Sequence, residues 1–76
     1  MNAVKKRNEN LGNHIKELRI VRNIPVKVMA DKLNIHEKCY IAYECGETSI
    51  YADHLMVISK ILGVNINKLI NFYLNT

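Results

Sequence analysis

Eleven lysines and arginines, three histidines and two cysteines are the side chains of this 76-residue sequence with most chemistry to offer. Cys39 and Cys45 stand six residues apart and His14, His36 and His54 are scattered, so no zinc-ligand spacing is present and no metal is expected. Two cysteines are too few for a disulfide framework, and Cys39 reads as an inert thiol. There is no glycine-rich phosphate loop, no nucleophile with a positioned histidine and carboxylate, and no paired carboxylates on one face. No enzymatic activity and no cofactor are therefore expected. The basic set remains, and its chemistry is attraction for phosphate. Six of the eleven cations (Lys5, Lys6, Arg7, Lys16, Arg19 and Arg22) fall within residues 1–22, against Glu9 and Glu17 alone. A formal charge of +4 permits a polyanionic partner without demanding one. Lys5-Lys6-Arg7 fits equally a basic arm entering a minor groove and a solvated tail.

These side chains must be positioned by a small single domain, with about half of its residues apolar and 24% charged. No apolar run approaches the ~18 residues of a membrane span, and MNAVKKRNENLGNH lacks the apolar stretch of a secretory signal. The expectation is a reduced, cytoplasmic protein without a membrane partner. Residues 1–9 read as a mobile polar arm, followed by one domain over 10–76. Leu11, Ile15 and Leu18 recur at helical spacing behind a candidate Asn10 cap, with Asn23 as a left-handed stop. Pro25 opens a second helix, with Met29, Ala30 and Leu33 inward and an end at Asn34. A third covers Glu37 to Cys45, with Tyr40 and Tyr43 inward and Gly46 as its stop. A fourth runs from about Tyr51 to Leu62 and is closed by Gly63. Asn65 caps a fifth. No alternating strand pattern occurs, so the expected fold is all-α, five short helices in a bundle.

Pro25 to Glu44, a helix of about eight residues, a short break and a second of about nine, matches a helix-turn-helix, spanning 25–45 overall. In such a unit the first helix packs across the second and leaves its N-terminal half projecting. A major groove about 12 Å wide admits one such helix. Ala30 is small enough for a close helix crossing, and Ile35 supplies an apolar plug for the turn.

With LGNHIKELR at 11–19, Arg22, MADKLNI at 29–35, Glu44-Gly46 and KILGVNINKL at 60–69, the sequence resembles the Cro/C1-type (Xre) helix-turn-helix family, without gaps from Leu11 to about Leu69. The resemblance implies a lambda-repressor-like DNA-binding domain, acting as a dimeric transcriptional regulator of repressor or controller type on inverted-repeat operators. It implies that Glu37, Lys38 and Ala42 read base edges, with Lys38 donating to guanine, Glu37 accepting from cytosine and Ile41 touching a thymine methyl. Phosphate contacts fall to Val26, Lys27, His36, Cys39, Gly46, Glu47 and Thr48, in part through backbone amides. Arg19 and Glu44 fall where the family places a buried ion pair. Ile66, Leu69, Ile70, Phe72 and Leu74 exceed what a terminal helix needs, and Ile66, Leu69, Ile70, Phe72 and Tyr73, on the helix over 65–74, are expected to form a homodimer seam.

The sequence departs from the family pattern at Pro25-Val26, usually Thr-Gln, and at His36, usually a serine or threonine cap. Ile20, Val21, Val26, Val28 and Ile41 stand where polar residues are usual, which marks a partner surface. A second expectation therefore stands beside the first: the fold used as a protein-interaction module, antirepressor- or antitoxin-like, with weak or no DNA binding.

Overall fold

The computed structural model describes residues 3–75, and those residues form five helices: α1 (Ala3–Val21), α2 (Val26–Leu33), α3 (Glu37–Cys45), α4 (Ala52–Leu62) and α5 (Ile66–Leu74). No strand occurs among them, and the all-α five-helix bundle is the observed architecture. The helix ends lie where backbone chemistry forces them. Asn23 and Asn34 both adopt φ 57°, and Gly46 and Gly63 adopt φ 74° and 67°. In that left-handed conformation the chain leaves the helix while its amides still reach the last carbonyls. Pro25 acts as the cap of α2 rather than as a residue of its first turn. Asn65 caps α5, its side chain accepting from the Asn67 amide at 2.8 Å. His36 caps α3 without a side-chain hydrogen bond.

The start of α1 corrects the expected arm over 1–9, of which residues 1 and 2 lie outside the described residues. From Ala3 onward the chain is helical, and Asn10 is a mid-helix residue rather than a cap. Tertiary contact makes the difference. The buried Asn8 donates to the Ser49 hydroxyl at 3.0 Å, and Asn10 donates to the carbonyl of Phe72. The Arg7 guanidinium lies 6.0 Å from the centre of the Tyr73 ring. Polar residues that read as solvated are thus interlocked with α5 and with the loop after α3.

Leu11, Ile15, Met29, Leu33, Tyr40, Tyr43, Ile58, Leu62 and Leu69 close the core, drawing on all five helices. Ala30 lies within it. Gly12 is buried where α1 crosses α3. A Cβ there would stand 2.4 Å from the Tyr43 carbonyl oxygen and 2.5 Å from that of Glu44, so only glycine permits this backbone-to-backbone approach. Gly46 repeats the arrangement one turn away, its missing Cβ 2.4 Å from the Cα of Glu9. Two glycines therefore seat α3 on α1.

Candidate nucleic-acid interface

The inward face of α3 fixes what its outward face can do. Tyr40, Tyr43 and Glu44, three and four residues apart, point inward and are buried. Arg19 of α1 meets Glu44 through Nε at 2.7 Å and Nη2 at 3.1 Å. Its Nη1 donates to the Ile24 carbonyl at 3.0 Å, which ties the same guanidinium to the turn before α2. The Tyr40 hydroxyl donates to Oε2 of Glu44, the oxygen that also accepts from Arg19 Nε. Every polar atom of the cluster has a partner, so a buried carboxylate is tolerated and α3 is held in one rotation about its axis. The Glu44 contact raises the Arg19 pKa, against burial that opposes it. Burial and then the neighbouring carboxylate push the Tyr40 hydroxyl far above the ordinary tyrosine range. The Tyr43 hydroxyl is also raised by burial, and it lies 2.7 Å from Nδ1 of His54.

With that face locked, Glu37, Lys38, Ile41 and Cys45 are exposed along the opposite stripe, and Ala42 is half-buried beside them. Ile41 keeps 45% of its surface in solvent. A concavity flanks the stripe on each side. Between α1 and α3 lies a groove of about 750 Å³ lined by Lys6, Asn13, Lys16, Val26, Ile41 and Cys45, among others. On the other side Lys38, Cys39, Ala42, Thr48, Tyr51 and His54 belong to a hollow of about 600 Å³ that is largely apolar. There the ring of His54 meets Tyr43 and Tyr51 edge-on, at 5.8 and 5.6 Å between ring centres.

The residues expected at phosphates divide. Val26 and Lys27 begin α2, where first-turn amides have no intrahelical acceptor and no acidic side chain intrudes. Gly46 and Glu47 do not fit the expectation of free amides. Their N–H groups bond to the carbonyls of Tyr43 at 3.2 Å and Ala42 at 3.0 Å, because the left-handed turn at Gly46 uses them to close α3. The Cys39 amide is taken up by the His36 carbonyl at 3.0 Å, so only its thiol faces outward. His36 and Thr48 are exposed at the two ends of α3.

The expected seam on α5 needs a larger correction. Leu69 is completely buried in the core of its own chain. Phe72 stacks on His14, with ring centres 3.9 Å apart, and Tyr73 lies under Arg7. Ile66 is half-buried. α1 covers this face through Arg7, Asn10 and His14, which counting apolar residues in the sequence could not foresee. Ile70 and Leu74, one turn apart, are the α5 apolar residues left largely exposed, at 38% and 53%.

Residue types alone missed three features: the crossing at Gly12, and Lys6 and Lys16 at the groove. Lys6, Asn13 and Lys16 stand seven and three residues apart, one face of a helix once α1 is known to run back to Ala3. No protein-family model matches the chain, and no curated protein matches its sequence. Among the described residues no single helix is long and apolar enough to cross a membrane.

Proposed function

We propose that this protein is a sequence-specific DNA-binding regulator of the Cro/C1 type, binding an inverted-repeat operator as a homodimer through α3. The observation that carries the reading is the stripe of Glu37, Lys38 and Ile41, exposed on a helix whose other face is fixed by the Arg19–Glu44–Tyr40 cluster. A rigid projecting helix is what major-groove readout needs, since base discrimination depends on side chains held in register. The free amides of Val26 and Lys27 support a phosphate contact next to it. Two copies would set their α3 helices about one helical turn, ~34 Å, apart on one face of the duplex. Ile70 and Leu74 are the α5 side chains available for the dimer contact.

Selection from a pool of random duplexes, followed by titration at several salt concentrations, tests this. The expected result is a recovered inverted repeat bound well above bulk DNA. Lys38→Ala should cost about 1–3 kcal/mol at one base position and relax preference there. Lys27→Ala should instead weaken binding to all sequences and flatten the salt dependence. If no sequence outcompetes bulk DNA at moderate salt, the reading fails.

Exposed apolar residues support a second reading, a module that binds another protein. Val21 is 76% exposed and Ile20 53%, at the end of α1 away from the core. Salt-insensitive binding to a protein, together with no affinity for duplex DNA, would favour it.

A further inference from the structure

We infer that the groove between α1 and α3 is a seat for the phosphate backbone of a duplex, gripped by Lys6 and Lys16. The inference rests on the proposed entry of α3 into a major groove and extends that contact to a helix outside the helix-turn-helix. Lys6 and Lys16 line one wall of the groove, with Ile41 of α3 and Val26 of α2 on the other side. Both lysines are exposed, and neither has an ion pair or hydrogen bond among the described residues. Ten residues of helix separate them by roughly 15 Å, so each meets a different phosphate.

The lining is chemically two-sided, as a nucleotide strand is. Ile41 and Val26 present apolar surface to deoxyribose, while the lysines and the Asn13 amide present donors to phosphate oxygens. Of the two carboxylates in the lining, Glu44 is neutralised by Arg19, leaving Glu9 against two unpaired cations. Charge therefore favours an anion here. The start of α2, with its open amides at Val26 and Lys27, points the same way. Continuity decides for DNA over an acidic peptide. The groove shares Ile41 with the exposed stripe of α3, so a strand passing α3 runs directly into it. The opposite hollow, lined by aromatic rings and holding only Lys38 as a cation, offers no such grip.

The test compares the wild-type chain, Lys6→Ala/Lys16→Ala and the charge-matched control Lys60→Ala/Lys68→Ala on one selected duplex across a salt series. All four positions are exposed on helices, so alanine is tolerated, and circular dichroism melts verify this. Loss of two phosphate contacts per protomer, four per bound dimer, should make the slope of log K against log salt shallower by about 3.6. Affinity at low salt should fall on the order of tenfold or more, with base preference unchanged. The control should keep the wild-type slope. A double variant with the wild-type slope, or one no different from the control, overturns the groove assignment and leaves DNA binding through α3 intact. A wild-type chain that binds no duplex overturns both. In that case amide shifts at Lys6, Asn13 and Lys16 on adding an amphipathic Glu/Leu peptide would reassign the groove to a protein partner.

Discussion

Two corners of the bundle are closed by glycine in the same backbone conformation, yet they are built on different physics. At the α1–α3 seam, Gly46 turns the chain and also lets it touch the backbone of Glu9, while Gly12 lets α1 lie against the carbonyls of Tyr43 and Glu44. At the α4–α5 corner, Gly63 has no heavy atom within 4 Å of where a Cβ would stand. One glycine is required by contact and by dihedral, the other by dihedral alone. The seam is thus set by backbone approach and by one polar cluster, and the corner by the packing of Ile58, Leu62 and Leu69. The part of the molecule that orients α3 is the part with least freedom to relax.

Substitutions separate the two. Gly12→Ala is the most damaging: its methyl group cannot fit unless α1 and α3 part, and a loss of about 3 kcal/mol or more is expected in urea melts. Arg19→Met should cost nearly as much, about 3 kcal/mol, because it strands the Glu44 carboxylate in a buried site. Arg19→Met with Glu44→Leu should recover most of that loss, while loosening the orientation of α3 and so weakening the proposed base discrimination. Tyr40→Phe removes one donor to the same carboxylate and should cost about 1.5–3 kcal/mol at neutral pH.

The same variant carries a pH signature. Tyr40 keeps its proton in the folded state at pH values where the unfolded chain has lost it. Its contribution is therefore complete below the ordinary tyrosine pKa of about 10 and is lost as pH rises above it, by about 1.4 kcal/mol per pH unit. Tyr40→Phe should flatten that alkaline limb by about this amount, read by melts between neutral and strongly alkaline pH. Gly63→Ala is the mildest, about 1 kcal/mol from the left-handed backbone alone, and should leave the proposed DNA binding unchanged. Equal losses at Gly12 and Gly63 would abolish the contrast.

The helices and their ends are legible in the sequence because local chemistry writes them. Asn23, Asn34, Gly46 and Gly63 are the residues that tolerate a left-handed exit, and Asn65 suits the position before a helix. Tyr40 and Tyr43 are legible as the inner face of α3 from their spacing, whereas a buried Glu44 opposite Arg19 follows only from the family resemblance. What sequence could not supply is whatever depends on two distant segments meeting. Residues 3–9 look like a solvated arm until α5 and Ser49 are beside them. Gly12 looks like an ordinary small residue until a carbonyl stands where its side chain would be. Leu69 and Phe72 look available to a second subunit until the core closes over the one and His14 stacks on the other. Lys6 and Lys16 become a pair only when the first turns of α1 are helical. Gly46 and Glu47 look like amide donors until the turn they build consumes them.

The principal neighbours of α1 are α5 and α3 rather than the helix that follows it, and one of its bonds, from Asn10 to Phe72, joins residues 62 positions apart. During synthesis, then, the helix made first must wait: it leaves the ribosome well before the surface that will hold it exists. Until α5 arrives, α1 is held through α3 alone, so a nascent chain halted anywhere before Phe72 carries α2 and α3 on a helix whose other face is still open.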